Sequence, residues 1–363
     1  MTRRKNTVRW LVVLTLAVGA CMSPRSDTEP RPADDVLVGV EYFAGWWEPR
    51  PNKWQDATGA DWRSRFPKRV PLLGEYNTQD TMDREIVAAA THGVDFFLFL
   101  WYPHGAGPPP EPHSLRLNDG LTYFRQSPEA HRMQFAIEYC NHPPFTVTDE
   151  AHWARCVEVW IEAMRHPSYL RVGGRAVFKV HGARYFLQQA GDNVDGARAR
   201  LDTLRQAARD AGLGELLIGG GVVAPDGTNP DDPLIGLFDF FATYMQVPGG
   251  ARTEADRPYE ELAVQARNTR RQYADGPVPY VPYVPAGWNP RPWPDPRPYF
   301  ALPTRAEWQA VLAETKADLA AEPMLGFPLP DGGRQKALTI YAWNEFGEGG
   351  IVAPTRGDGT MKL

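Results

Sequence analysis

Two glutamates near the C-terminal end of the chain carry the chemistry that the sequence suggests. Glu345 and Glu348 are three residues apart and directly follow the apolar stretch Leu338–Trp343. A regular strand would send positions i and i+3 to opposite faces, but the glycines on both sides of Glu348 permit a turn that could direct both carboxylates the same way. Cleavage of a glycosidic bond needs one carboxyl group as an acid and a second as a base or nucleophile. The pair therefore predicts glycoside hydrolysis, although glutamates at the edge of a loop are often only solvated charges.

Aromatic residues cluster after the predicted strands and suggest a carbohydrate ligand. Of the twelve tryptophans, eight lie in or beside segments that follow these strands. Aromatic rings suit the apolar C–H faces of sugars, and neighbouring polar groups can then bind the hydroxyls. Any single tryptophan is explained equally well by packing under a loop, but the group predicts a sugar-binding cleft. The candidate substrate-binding residues are Tyr42, Trp46, Trp47, Trp101, Tyr102, Glu138, His181, Tyr244, Trp288 and Asn344.

Short apolar runs alternate with amphipathic segments and would position these residues. The predicted strands are Val36–Phe43, Val94–Tyr102, Met133–Tyr139, Ala176–Val180, Leu216–Gly220, Phe238–Tyr244, Val278–Val284 and Ala337–Trp343. The predicted helices are Asp80–His92, Asn118–Glu129, Glu150–His166, Ala183–Ala211, Tyr259–Tyr273 and Thr304–Leu319. Apolar strands separated by helices indicate a parallel sheet covered on both faces. Eight such strands favour an α/β fold of the (β/α)8 TIM barrel type, with an open doubly wound sheet as the alternative, and the barrel would place its active site at the carboxyl ends of the strands.

Charged residues interrupt three of the predicted strands. Glu41, Glu138 and Lys179 lie near the carboxyl ends of otherwise apolar runs. Buried charges are costly unless they are paired, so these residues either form an internal ion-pair network or contact the sugar directly. The loop histidines are expected to be ordinary surface residues; they are His104, His113 and His142.

The N-terminal segment predicts export. Basic residues precede an apolar run that is too short to cross a bilayer, for which about 20 residues are needed. The run ends in Val18–Cys21, which resembles a bacterial lipoprotein box, so we expect residues 1–20 to be a signal peptide and Cys21 to carry lipid. Residues 21–35 would form a tether, and 36–363 a single catalytic domain anchored to the bacterial cell membrane or outer membrane. The alternative is an ordinary signal peptide with a chance cysteine.

Composition excludes several other partners. The chain has a net charge of −5 and no basic stretch, which argues against nucleic acid. The spacing of cysteine and histidine does not suggest a metal site, and we expect no cofactor and a monomeric protein. Cys140 and Cys156 could pair in an oxidising compartment or remain buried thiols.

The segment 343–349, Trp-Asn-Glu-Phe-Gly-Glu-Gly, resembles a known signature. It is similar to the Asn-Glu-Trp-x-Glu-Gly sequence of glycoside hydrolase family 99, the endo-α-mannosidases, and of the related WbsX-like polysaccharide-biosynthesis proteins. The segments Tyr42–Trp46, His92–Phe97 and Gly287–Asn289 agree with the resemblance, which covers roughly residue 36 to the end; only the glutamate motif is specific. The family implies a (β/α)8 barrel and hydrolysis with retention of configuration and without a metal.

The resemblance also implies a role for each glutamate. Glu345 would act as the base on the substrate's own 2-hydroxyl, giving an anhydro-sugar intermediate, and Glu348 as the general acid and later the base for water. The sequence has Phe346 where the family usually has Trp, and Gly347 where mannosidases carry His, which favours the less characterised relatives. The competing functions are a non-catalytic carbohydrate-binding lipoprotein and a polysaccharide-biosynthesis factor. Export disfavours the latter because nucleotide-sugar donors are cytoplasmic and no glycine motif for phosphate is present.

Overall fold

The computed structural model describes residues 35–103, 116–221, 232–293 and 295–363, and these residues form one compact unit. The predicted signal peptide, the lipidation site Cys21 and nearly all of the tether lie outside the described residues, as do His104 and His113. No helix in the described part of the chain is long and apolar enough to span a bilayer.

Parallel strands form a closed barrel. In chain order the strands are β1 Leu37–Tyr42, β2 Phe96–Trp101, β3 Gln134–Tyr139, β4 Arg171–Val172, β5 Arg175–Val180, β6 Leu216–Gly220, β7 Phe240–Ala242, β8 Tyr280–Val281, β9 Tyr283–Pro285, β10 Phe327–Pro328, β11 Arg334–Gln335, β12 Ala337–Tyr341, β13 Asn344–Glu345 and β14 Gly350–Ile351. Around the barrel the order is β8, β7, β6, β5, β3, β2, β1, β12, β9, and each neighbouring pair is parallel.

The barrel closes through one interrupted strand. The two ends of the strand order, β8 and β9, are separated only by Pro282, which has no N–H to continue the ladder. The carbonyl of Pro282 accepts a hydrogen bond from the Thr339 N–H at 2.9 Å, so this residue still joins β12. Counting β8 and β9 as one strand gives the eight strands that the sequence predicted, and the (β/α)8 barrel is confirmed.

The helices agree with the predicted pattern, with one correction. They span Gln79–Thr91, Asp119–Gln126, Glu150–Met164, Ala183–Gln189, Val194–Asp210, Tyr259–Ala274 and Arg305–Ala321. The single helix predicted for Ala183–Ala211 is wrong, because Gly191 and Asp192 adopt left-handed φ angles of 72° and 56° that end the first helix. The side chain of Asn193 then accepts hydrogen bonds from the N–H groups of residues 195 and 196 and starts the second helix.

Large aromatic rings fill the barrel at the amino-terminal ends of its strands. A Cβ atom added to Gly39 would lie 2.1 Å from the ring of Phe96, and one added to Gly219 would lie 2.3 Å from the ring of Phe240. Both rings pack against Phe327, with centroid distances of 6.5 and 5.0 Å. The glycines therefore make room for a packed plug, and the opposite end of the barrel remains for a ligand.

A buried ion-pair network occupies the next layer of the interior. The Lys179 ammonium lies 3.2 Å from Glu41 Oε1 and 2.9 Å from Glu138 Oε2, and all three side chains are buried. Burial and the charge of Glu138 raise the pKa of Glu41 well above its usual value. Burial alone would raise the pKa of Glu138 too, but the charges of Lys179 and His181 lower it to about 2. The ion-pair alternative is therefore confirmed, since Lys179 joins both carboxyl groups, and the raised pKa of Glu41 favours its neutral form and so limits the buried charge.

Removing the central cation should destabilise the protein. We expect Lys179→Met to lower the free energy of unfolding by about 3–5 kcal/mol, because it leaves a buried carboxylate without its counter-ion. The loss should shrink at low pH, where protonation of Glu138 removes that charge. Urea denaturation would measure both effects, with Lys316→Met, a change at an exposed site on the helix Arg305–Ala321, as the control. A loss no greater than that of the control would show that the network does not stabilise the barrel.

Candidate active site

The two glutamates lie on a tight hairpin that follows the last barrel strand. β13 pairs with β14 in antiparallel fashion, and Glu348 lies in the connection between them. The carbonyl of Glu345 accepts hydrogen bonds from the N–H groups of Glu348 at 3.1 Å and Gly349 at 2.8 Å, and Gly349 has a φ angle of 86°. The chain thus turns immediately after β12, and both carboxylates line the same cavity. This is the turn that the glycines of the sequence permit.

Close packing explains why glycine occupies two other positions of this hairpin. A Cβ atom on Gly347 would lie 2.3 Å from the indole ring of Trp293, and one on Gly350 would lie 2.3 Å from the ring of Tyr341. The indole of Trp293 therefore occupies the space that a side chain at 347 would need. Trp293 itself lines the cavity beside the glutamates.

Glu345 is buried and has one hydrogen-bond donor on its carboxylate. The hydroxyl of Tyr244, which follows β7, donates to Glu345 Oε1 at 2.7 Å. Burial raises the pKa of Glu345 well above its usual value, and the charge of Glu348 adds to this, whereas the hydrogen bond from Tyr244 acts in the opposite direction.

Glu348 has more groups that favour its charged form. The hydroxyl of Tyr341 donates to Glu348 Oε2. Burial raises the pKa of Glu348 as well, but the hydrogen bond from Tyr341 and the charges of Arg297 and Lys53 oppose the shift. Glu345 is buried and Glu348 half-buried, and two neighbouring carboxylates shielded from water in this way cannot both ionise at low cost, so the pair tends to hold one proton.

Arg297 adds a positive charge to the surroundings of Glu348. Its guanidinium forms an ion pair with Asp295 at 2.7 Å and lies 4.0 Å from the ring centroid of Trp288. These contacts hold a positive charge close to Glu348, whereas Glu345 has only a neutral hydroxyl as its direct partner. These contacts favour the charged form of Glu348 more than that of Glu345.

The cavity has a volume of about 700 Å³ and lies at the carboxyl ends of the strands, as expected for this fold. Its lining combines aromatic rings with charged and hydrogen-bonding groups, an arrangement suited to sugars. Of the candidate substrate-binding residues, the ones that line it are Tyr102, His181, Tyr244 and Trp288.

Glu138 lies beneath the cavity and orients His181. Its Oε1 lies 2.6 Å from Nδ1 of His181, while its Oε2 accepts from Lys179. An ionised Glu138 requires a proton on Nδ1, which leaves Nε2 as the ring nitrogen available to a ligand. Glu138 was predicted to bind substrate, and the structure gives it a supporting position instead, fully buried and outside the cavity lining.

The structure places Trp46 and Asn344 behind the hairpin, outside the cavity lining. The Asn344 side chain is used entirely by Phe43, whose N–H and carbonyl it bonds at 2.8 Å each. The Trp46 indole N–H donates to the Asn344 carbonyl at 2.9 Å. Both residues therefore attach the start of the hairpin to the end of β1 and position Glu345 without contacting the cavity.

The remaining candidates also lie outside the cavity lining. The Tyr42 hydroxyl donates to Glu85 at 2.7 Å. The Trp101 ring packs against Trp160 with a centroid distance of 5.2 Å, so it belongs to the layer between barrel and helices. Trp47 is buried, donates to the Pro51 carbonyl at 2.7 Å and lines a neighbouring groove.

Several residues of the site were missed by the sequence interpretation. Lys53 and Arg297 come from long loops without periodic pattern, whereas Tyr341 had a usable signal, because it is the last residue of a buried strand. His142 was expected on the surface, but it lines the cavity, its ring lies 5.7 Å from that of His181, and burial lowers its pKa.

The described cysteines are unpaired. Cys140 and Cys156 are both buried free thiols, which decides the alternative that the sequence left open. In the described part of the chain, no group of three or more His, Cys, Asp or Glu side chains is arranged to hold a metal ion.

Comparisons with known proteins relate this barrel to glycoside hydrolases. No family model and no curated protein matches the sequence. A solved structure described as a glycoside hydrolase-like protein has a TM-score of 0.60 at 17% identity, over 92% of this chain and 95% of that chain. The family 99 endo-α-mannosidase from Bacteroides thetaiotaomicron has a TM-score of 0.53 at 14% identity, over 88% of each chain. The resemblance read from the glutamate motif thus extends to the fold, which this chain shares with glycoside hydrolases that include a family 99 endo-α-mannosidase.

Proposed function

We propose that the protein is a retaining glycoside hydrolase that acts on a glycan or polysaccharide in the manner of family 99. The observation that carries the proposal is the pair Glu345 and Glu348, which line one cavity at the carboxyl end of the barrel and have different partners. Glycosidases need two carboxyl groups in different protonation states, and unequal surroundings are what separate their pKa values.

In the proposed reaction the substrate supplies its own nucleophile. Glu345 accepts the proton of the sugar 2-hydroxyl while O2 bonds to C1, and Glu348 donates a proton to the leaving oxygen as the glycosidic bond breaks. Glu348 then removes a proton from water, which opens the anhydro-sugar at C1 and returns O2 to a hydroxyl with the proton from Glu345. Both carboxyl groups end as they began.

This cycle requires the proton on Glu348, whereas Tyr341 and Arg297 favour the charged form of Glu348. Substrate binding therefore has to favour the form in which Glu348 carries the shared proton. A 2-hydroxyl that donates to Glu345 stabilises the charged form of that carboxylate and therefore shifts the shared proton towards Glu348.

The two glutamates should be separable by mutation. Glu348→Gln removes the general acid, so it should severely slow cleavage of substrates with poor leaving groups and spare activated aryl glycosides, which depart with little protonation. Glu345→Gln removes the base and should slow both substrate types. Steady-state kinetics on one aryl glycoside and one natural-type oligosaccharide would measure this.

The control is Glu158→Gln, the same change at an exposed site on the helix Glu150–Met164, which should keep wild-type rates. Full activity in either glutamine variant at the site would contradict the mechanism. If aryl substrates rescue Glu345→Gln instead, the two roles are exchanged. Binding without turnover by the wild type would favour a carbohydrate-binding protein.

Two tryptophans should respond differently to truncation. Trp288 lines the cavity, so Trp288→Ala should weaken oligosaccharide binding by about 1–3 kcal/mol through loss of an aromatic contact. Trp46 is buried among Trp54, Trp62 and Phe346, so Trp46→Ala should mainly lower the melting temperature. Calorimetric binding and thermal unfolding of both variants test the distinction, and equal effects on binding would contradict it.

We also propose that the protein is exported and anchored through lipid on Cys21. The support is the Val18–Cys21 sequence after a short apolar run and the polar, proline-containing segment that follows. Cys21→Ser should move the protein from the membrane fraction to the soluble fraction. Cys156→Ser, a change at a free buried thiol, should leave it in the membrane fraction. Retention of Cys21→Ser in the membrane with its leader still attached would indicate an uncleaved anchor instead.

A further inference from the structure

Two grooves adjoin the catalytic cavity and share lining residues with it. The first has a volume of about 570 Å³ and shares Lys53 and Trp293 with the cavity. The second, about 740 Å³, shares Trp293 with both and Asp56 with the first groove. A chain that leaves the catalytic glutamates on this side would pass Lys53 and Trp293 and enter the second groove. The volumes are similar to that of the cavity itself, so the binding surface is longer than the catalytic site requires.

Guanidinium groups distinguish the second groove, which we call the arginine groove after Arg65, Arg252 and Arg291 in its lining. Arg65 is paired with Asp56, and Arg291 lies 2.5 Å from Asp256. Each keeps an exposed side chain, so each retains N–H groups for a ligand.

Arg252 differs because its partners in the described part of the chain are neutral. Its guanidinium bonds the carbonyl of Asp295 and the hydroxyl of Tyr299, both at 3.2 Å, and forms no ion pair with a described residue. The exposed Glu254 is the acidic group of the lining that has no ion pair with a described residue. The direct hydrogen-bond partners of Arg252 are thus neutral, and the nearby Asp295 carboxylate is paired with Arg297 at 2.7 Å, so the Arg252 guanidinium remains a suitable partner for an incoming anion.

Tyr299 holds two of the arginines together. The guanidinium carbons of Arg252 and Arg291 lie 5.3 and 5.1 Å from the centroid of its ring. Stacking on a buried ring limits the rotamers of both side chains and reduces the entropy that binding would cost. Lys53 adds a third cation on the same route, 5.4 Å from the ring of Trp293, and it too forms no ion pair with a described residue.

We propose that the arginine groove binds a carboxylate or sulfate of the substrate, and that the substrate is an acidic polysaccharide which extends from the catalytic cavity past Lys53 to Arg252. The inference rests on the proposed function and names its substrate class. Planar guanidinium groups match the oxygen geometry of carboxylate and sulfate. Local cations are also needed here because the chain as a whole carries a net charge of −5 and repels a polyanion.

The test compares each acidic glycan with its own neutral derivative. Calorimetry with Glu348→Gln, to prevent turnover, would measure binding of oligouronates and of their carboxyl-reduced forms, and of sulfated oligosaccharides and their desulfated forms. We expect at least one acidic form to bind about tenfold or more tightly than its neutral derivative, with an advantage that falls as salt increases. The two pairs distinguish carboxylate from sulfate.

Substitution should remove this preference. In the Glu348→Gln background, Arg252→Met and Lys53→Met should each reduce the advantage of the acidic form, and Lys316→Met, remote on the helix Arg305–Ala321, should leave it unchanged. Melting temperatures would show that the exposed sites tolerate the changes.

The outcomes separate this inference from the proposed function. Equal affinity for every acidic glycan and its neutral derivative, or an acidic preference that survives Arg252→Met, would overturn the inference. Hydrolysis of neutral glycans in that case would leave the proposed function intact. Acidic glycans that bind to the arginine groove and are not cleaved by the wild type would support the inference and count against the proposed function.

Discussion

The placement of two carboxylates side by side in one cavity, one buried and one half-buried, is the constraint on which the site depends. Each charge removed from water needs a compensating partner, and two like charges side by side need more. Tyr244 and Tyr341 supply hydroxyl donors to Glu345 and Glu348, and Arg297 supplies a counter-charge that is itself fixed by Asp295. The inequality of these partners separates the protonation states of the two glutamates. An arrangement with equal partners would leave neither residue suited to act as an acid while the other acts as a base.

Several aromatic side chains around the site hold the hairpin in place. Trp46 bonds the Asn344 carbonyl, and its ring stacks on Trp293 at an interplanar angle of 12°. Trp293 in turn fills the space above Gly347. A side chain at 347 would displace this indole and, through it, the wall shared by the cavity and both grooves. The glycine between the two glutamates therefore has a packing function in addition to permitting the turn.

The fold and the two glutamates of the site could be predicted from the sequence, but only some of the residues around the glutamates could. Periodicity in strands and helices predicted all eight barrel strands, and the one helix error arose at Gly191 and Asp192, a break inside an otherwise continuous amphipathic pattern. The glutamates were found because two acids after an apolar strand are unusual. Lys53 and Arg297 were not predicted, because they lie on loops that tertiary folding brings to the cavity. The residues next to them in the sequence show no pattern that indicates this position. The tryptophans were over-assigned for a related reason: sequence position places a residue near the barrel mouth, but only packing decides whether its ring faces ligand or core.

The charged layer below the cavity is connected to the two glutamates through His181 and Tyr244. Lys179 keeps Glu138 ionised, Glu138 fixes Nδ1 of His181, and the His181 ring lies 5.0 Å from that of Tyr244, the donor to Glu345. Burial and the charge of Glu345 raise the pKa of Tyr244 well above its usual value, so its hydroxyl stays neutral. Tyr244 can therefore fix the position of the Glu345 carboxylate without placing a full charge beside it. The buried network can therefore hold His181 and Tyr244 in place without adding an ion pair to Glu345. That separation lets the lower layer stabilise the barrel while the balance between the two glutamates is set by Arg297, Tyr341 and the substrate.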